Sequence, residues 1–494
     1  GTVGLSAGND ILLKDSLTTV GALTVNADND GLVGGLFNLS TGKTINVQNN
    51  EAASIKARDL VLEGSLSTGT GDLSLLVSGT GTIGLGDADK DFDISKLELS
   101  RITSGNTLIG DATSGTITVS NLSPTDTNGI TGLLTLDASS NGSQVIFDTT
   151  ASTFNALNVK ADDGIIINVD LITDVGDLVL EADSDNSGDS LDQVLLQNGS
   201  KLSAGNDLII DATSGGISSV GLFDLTLEAN RHVILNDNLS AADDTVIRTD
   251  NNNSGEGNLQ AASAIDTDNH DLIFISSDLV LSDTITAGTG SITLLSSDNR
   301  SISVGSDAGE FKISGDELEL LFAQNLFIGD DTTGDMIVDG VTGTNSANIL
   351  GTVQLNATGA EKSITFENND STFRALEVFA EDRITLGTNL TTTVGSLTID
   401  ADYAGDDNAN DKVTVSDGVI LTAKDDLILE DAVGNYDAAG ALTLSAGDDL
   451  IVRGNLTTVG DLTVHADNDG LAGGLFQIAT GKTVSIGGAT TSIT

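Results

Sequence analysis

Apolar and polar residues alternate along the chain in short runs, such as Leu23-Thr24-Val25, Leu442-Thr443-Leu444 and Leu462-Thr463-Val464. A period of two sends one set of side chains inward and the other to solvent, so each run predicts a short β-strand buried on one face. Gly, Asn and Asp separate the runs and supply turn chemistry. Helical spacing is nearly absent. The turn-strand motif GNDILL at Gly8 reappears as GNDLII at Gly205, KDDLIL at Lys424 and GDDLIV at Gly447. The fine period is about 20 to 25 residues, too short for a unit to bury its own apolar face, so the units must stack.

Stacking of this kind predicts an all-β chain, a parallel β-helix (β-solenoid) whose rungs form one elongated rod. At ~4.8 Å per rung, some ~23 rungs would extend about 110 Å. Leucine-rich repeats share the period, but their LxxLxLxxN pattern and helical segment are missing; a propeller blade needs a unit nearly twice as long.

A coarser repeat is superimposed on the fine one. The stretch from Gly1 to Asn46 returns at Gly440 to Ser485 with about 28 of roughly 46 positions identical. LTLEANRHVILNDNLS from Leu225 is a worn middle copy, IGDATSGTITV at Ile109 pairs with IGDDTTGDMIV at Ile328, and STFNALNV at Ser152 pairs with STFRALEV at Ser371. The spacing of the mid-segment pairs is about 219 residues. The chain thus reads as one continuous β-helix over 1–494, with super-repeats 1–219, 220–438 and a partial third copy 439–494. Because it opens and stops inside the pattern, a piece of a longer array or a processed product is expected. The acidic stretches 182–192 and 401–411 are expected to protrude as loops.

Composition narrows the function classes. The chain has 57 Gly, one Pro, no Cys, no Trp and a formal net charge of −53. Nucleic acid is excluded as a partner, since a phosphate backbone needs a basic surface. Anionic membrane is disfavoured for the same reason, and no apolar run reaches the length of a membrane span. The absence of Cys fits a secreted rod that needs no disulfide staples.

The segments TTVGALTVNADND from Thr18 and TTVGSLTIDAD from Thr392, and the IG-then-GTITV pairing over Ile109 to Val119, carry a family likeness. They resemble the repeat regions of giant bacterial adhesins related to filamentous haemagglutinin, over essentially the whole chain. The resemblance implies a right-handed parallel β-helix, export by a two-partner or autotransporter-like route, and a role in adhesion, aggregation or filament formation.

Candidate chemistry concentrates in acidic loops that follow the strands: Asp28 with Asp30, Asp183 with Asp185, Asp250 with Asn252, Asp402 with Asp406, and Asp467 with Asp469. Alternating oxygen ligands near a Gly suit a hard cation such as calcium. The EF-hand pattern fails, because Phe37 and Phe476 stand where the closing Glu belongs, so solvated turn residues are the expected role and calcium ligands the alternative. TGKT at Thr41 and Thr480 lacks the first Gly of a phosphate loop and precedes a strand. His232, His270 and His465 have no partner at a motif spacing, and GxSxG and HExxH are missing, so nucleophilic and zinc chemistry have no anchor. Phe37, Phe154, Phe373 and Phe476 recur at matched positions and predict an internal stack.

The expectation is therefore a non-enzymatic structural or adhesive rod at the cell surface or outside the cell. It would self-associate end to end or side by side, or touch cell-surface glycans or proteins, without a cofactor. A calcium-responsive extracellular matrix or sheath protein is the alternative. A polysaccharide-active β-helix ranks below both, because 73 acidic residues make chance carboxylate pairs uninformative and only two Tyr offer sugar-stacking rings.

Overall fold

The computed structural model describes the chain apart from residues 33, 189–190, 307, 404, 406–410, 431–434, 472, 489–490 and 494. It is an all-β parallel β-helix built from short strands, mostly of three to five residues. The described chain falls into two compact units, one made of Gly1–Asp244 with Gln260–Ser263 and the other of Thr245–Leu259 with Ala264–Thr494.

One coil of the first unit shows the construction. The strands Leu134–Ala138, Val145–Phe147 and Ser152–Phe154 belong to three different sheets, and the next strand, Leu157–Ala161, returns to the first. Leu134 pairs with Leu157, Leu157 with Leu178, Leu178 with Leu208 and Leu208 with Val233, all in parallel. The ladder Leu136, Val159, Leu180, Ile210 and Leu235 runs beside it, and every member is buried. The alternation that predicts strands thus becomes columns of like residues, with the core enclosed between the three sheets. Each coil closes its neighbour's apolar face, and at about 25 cal/mol per Å² this burial is the main favourable term.

The second unit repeats the plan. Its strands Val353–Ala357, Ser363–Phe366, Ser371–Phe373 and Leu376–Ala380 form the matching coil. The inward ladder Ile292, Leu326, Val353, Leu376, Leu397 and Leu427 mirrors Leu73, Thr107, Leu134, Leu157, Leu178 and Leu208 of the first unit, one super-repeat earlier. Coil length is less uniform than the sequence period implies. Along the sheet that holds Leu134–Ala138 it ranges from 20 residues, between Val3 and Leu23, to 34, between Leu73 and Thr107.

The long coils carry an insertion that periodicity does not predict. Phe92–Ser95 pairs in parallel with Ile83–Gly86, the strand before it in sequence, and then runs into a one-turn helix, Lys96–Leu99. A capping box starts that helix: the Ser95 amide donates to Glu98 Oε2 at 2.9 Å while the Glu98 amide donates to Ser95 Oγ at 3.4 Å. The second unit has the same strand pair, Ile302–Gly305 with Phe311–Ser314, and the same box at Ser314 and Glu317 before Gly315–Glu319.

Phe37, Phe154 and Phe373 are fully buried and Phe476 is half-buried, but their ladder neighbours are not aromatic: Phe37 pairs with Ile11 and Leu60, Phe154 with Thr173, Phe373 with Thr392 and Phe476 with Leu450, so the expected internal stack gives way to mixed columns. Among the described residues no helix is long and apolar enough to cross a membrane.

Stability that is a sum over neighbouring coils makes damage local. Leu444 is buried between Leu421 and Val464. Leu444→Asp should strip amide protection from Val419–Ala423 and Leu462–His465 while Leu134–Ala138 stays protected in hydrogen exchange. Uniform loss across both units would contradict nearest-neighbour stabilisation.

Candidate functional site

Many of the acidic side chains have a structural task at the corners, where the backbone leaves the ladder and an amide of the next coil lacks a carbonyl. Asp177 Oδ1 accepts from the Asp207 amide at 3.1 Å, and Asp207 Oδ1 from the His232 amide at 3.0 Å. In the second unit Asp426 Oδ1 takes the Asp449 amide at 3.0 Å, and Asp449 Oδ1 the Leu475 amide at 2.9 Å. The carboxylate of one coil thus satisfies an N–H of the next, a charge-assisted bond stronger than its neutral counterpart.

The predicted acidic loops divide along the same line. Asp30 is exposed and its Oδ1 accepts from the Leu32 amide at 3.1 Å; Asp469, its counterpart in the third copy, holds the Leu471 amide at 2.9 Å and the Lys424 ammonium at 3.1 Å. The Leu471 amide, followed by Lys424, lowers the Asp469 pKa. Both are turn residues engaged with local groups.

Their partners Asp28 and Asp467 differ. Asp28 is buried, and its Oδ2 accepts the Ser78 hydroxyl two coils further on, while its Oδ1 is sealed from solvent with no hydrogen-bond partner. Asp467 Oδ1 is in the same condition.

Asp250 shows how such a carboxylate can be satisfied. It is fully buried and takes the Ser297 hydroxyl at 2.6 Å, as Asp28 takes Ser78. Its own loop folds back over it, with the Ser254 amide at 2.7 Å and the Gly255 amide at 2.9 Å from Oδ1. Gly255 has φ of 80°, so glycine is what allows that approach. Saturated by donors, Asp250 has no free oxygen for a metal. Asn252 contributes by accepting from the Ser254 amide at 3.1 Å.

Asp183 and Asp402 occupy equivalent places at the start of the two acidic loops. Both are buried, and each has an Oδ1 sealed from solvent without a hydrogen-bond partner; Asp183 Oδ2 accepts the Ser214 amide at 3.0 Å. Asp185 sits at the exposed lip, its pKa lowered mainly by the Ser187 amide and hydroxyl, with a smaller contribution from the Asp162 side chain. Asp406 lies outside the described residues.

The structure does not gather the candidate aspartates into one centre; it distributes them over corners of separate coils. It also adds residues that the sequence reading did not select. Asp192 and Asp411 close the two acidic loops and are both buried. Their identical spacing from Asp183 and Asp402 was the available signal. Asp425, Asp426 and Asp448 bring carboxylate oxygens within 4.8 Å of one another. The histidines are half-buried, and His465 ends the strand Leu462–His465.

A second acidic group sits where the inserted strand meets the preceding coil. Asp59 Oδ1 accepts the Asp93 amide at 3.1 Å, Glu98 Oε1 accepts the Leu62 amide at 2.8 Å, and Asp93 Oδ1 is sealed without a partner. Burial, followed by the charges of Glu98 and Asp59, pushes Asp93 up to about 6. The second unit has Lys312 at this position, its amide held by Asp278 Oδ1 at 3.0 Å.

Compared with known protein families, curated proteins and solved structures, the chain shows no match.

The Asp93 carboxyl carries a pH dependence of definite sign. Its folded pKa lies above the unfolded value, so its stabilising contribution is fully present below about pH 4 and is lost as pH rises through about 6. Corrected for the intrinsic pH dependence of amide exchange, the protection of Phe92–Ser95 should rise on acidification from about pH 7 to 5, and Asp93→Asn should flatten that rise. An unchanged slope in the variant would show that another group is responsible.

Proposed function

We propose that this chain is a segment of a secreted bacterial adhesin or surface filament, an extracellular structural and adhesive scaffold and not an enzyme. The observation that supports this reading best is the succession of parallel, in-register coils within each unit, whose inward positions are spent on ladders such as Leu136, Val159, Leu180, Ile210 and Leu235. A fold of this kind devotes its sequence to persistence along the coil and presents the same outward chemistry repeatedly.

The outward chemistry fits such a role. Hydroxyl and acidic side chains stack on the solvent side, as in the ladder Thr365, Thr385, Thr414, Asp437 and Thr457. The high negative charge favours solubility and keeps copies apart until cations screen it. At one recurrent corner the apolar residue before glycine is exposed: Val20 and Val175 in the first unit, Val394 and Val459 in the second. These valines provide small apolar contact points, suited to side-by-side association or to a neighbouring cell's glycans and proteins. Absence of Cys agrees with a scaffold held by ladders and not by staples.

Antibodies against the folded chain should label intact, unpermeabilised producing cells and the fibres they shed. Label that appears only after permeabilisation would overturn the extracellular assignment.

A further inference from the structure

The six strands Ile117–Ser120, Val145–Phe147, Ile165–Ile167, Val194–Gln197, Ile217–Val220 and Leu239–Ser240 are neighbours in one sheet of the first unit. In a chain of net charge −53 they contain no ionisable residue. Their outward column runs Thr118, Ile146, Ile166, Leu195, Ser218 and Ser240, each paired in parallel with the next. Ile146, Ile166 and Leu195 therefore stand on consecutive coils on the side away from the core. The adjoining sheet also turns Val179, Ile209 and Ile234 outward, but two of its strands end in Glu181 and Asp211.

The uncharged stripe continues past the strand ends. Val220 lies outward beside Gln197, and Leu222 and Phe223 follow at the corner, 82% and 54% exposed. Phe223 is seated on the preceding coil, since a Cβ on Gly199 would stand 3.0 Å from the Phe223 Cβ. A contiguous apolar surface on a soluble acidic fold marks a place of contact.

The second unit lacks this face. One super-repeat later, Thr365, Thr385 and Thr414 replace Ile146, Ile166 and Leu195, while Arg383 and Lys412 replace Gly164 and Gln193. The coils stack in register with threonines at these places, so the fold itself does not require the aliphatic residues.

We propose that this uncharged face is the contact through which two copies of the chain pack laterally, the same stripe of each against the other. Copies of such high negative charge approach closely only where neither carries charge. A second copy also has the same spacing of ~4.8 Å per coil, so the two aliphatic columns interdigitate coil for coil, as in sheet-on-sheet packing. Six coils span about 25 Å and a strand with its corner about 15 Å, which gives on the order of 400 Å² a side and suits a weak, reversible contact. A glycan would need convergent polar groups, which the column from Ile146 to Leu195 does not offer. The inference gives the side-by-side association of the proposed scaffold a definite surface and rests on that reading. Its test in solution and the labelling of intact cells fail independently.

Sedimentation equilibrium of the intact chain should show a monomer–dimer equilibrium with a dissociation constant of about 10⁻⁵ to 10⁻⁴ M. Raising salt from about 0.05 to 0.5 M screens the repulsion and should tighten the dimer about tenfold. Ile166→Asp and Phe223→Asp should each weaken it about tenfold or more, because each buries an unpaired charge in the contact. Thr385→Asp, at the equivalent place in the second unit, should leave it unchanged. Should Ile166→Asp misfold by circular dichroism, the combined variant Ile146→Thr, Ile166→Thr, Leu195→Thr, which borrows the second unit's own residues, decides: loss of the dimer supports the proposal and its persistence overturns it. A chain that stays monomeric up to about 0.5 mM, association that salt weakens, or a dimer indifferent to these substitutions also overturns it.

Discussion

Everything in this molecule depends on the in-register parallel pairing of one coil with the next. A coil of three short strands has an inward face too narrow to form a core, and that face becomes stable only when a second coil covers it. Zero-shift register then places Leu136 under Val159 and Val159 under Leu180, so a residue's partner is its counterpart one coil away. The same rule acts at larger scale. Insertions are tolerated at corners provided the following strand re-enters its column, which is why a 34-residue coil can stack beside a 27-residue one at Thr107 and Leu134.

Like-over-like stacking favours apolar columns and is hazardous for charged ones. An acidic residue at a corner tends to meet another acidic residue a coil away, as Asp177 meets Asp207 and Asp426 meets Asp449. The geometry turns this into bonding by interposing a backbone N–H between successive carboxylates. Much of the acidity is therefore explained by backbone accounting at the corners. The interposed amide does not offset every charge: Asp93, whose amide goes to Asp59, is still pushed up to about 6 by burial and by the charges of Glu98 and Asp59, and Asp448 is raised by desolvation and by Asp449, Asp426 and Asp425.

The coil, its inward positions and the burial of the recurring phenylalanines are legible in the sequence because they follow from alternation and spacing, which are local; what each phenylalanine packs on, Thr173 beside Phe154 and Thr392 beside Phe373, is set by the coil register and is not. Variation in coil length is not, since an insertion such as Phe92–Ser95 pairs back on the strand before it and leaves no break in the alternation. Its short helix was legible after all: Ser95 and Glu98, like Ser314 and Glu317, have capping-box spacing, overshadowed by the strand pattern around them. The acidic loops were recognised, but their division into engaged and sealed carboxylates was not. Whether Asp28 is buried depends on Ser78, fifty residues away, and no local pattern reports that contact.

The recurrence of the loops turns an ambiguous feature into an informative one. A single unpartnered carboxylate oxygen could be an accident of one loop. Asp183 and Asp402 place it at the same point of two loops whose intervening residues have diverged, while the flanking Asp192 and Asp411 stay buried in both. Had the loops served only to protrude, their bases would be free to drift with their tips. Asp250 shows that the fold can satisfy such a carboxylate with its own amides, through neutral residues and a glycine with positive φ. The acidic loops offer no such cover: Asp183 Oδ1 and Asp402 Oδ1 stay sealed without a hydrogen-bond partner, so the desolvation that Asp250 offsets with its own amides is left uncompensated at both places.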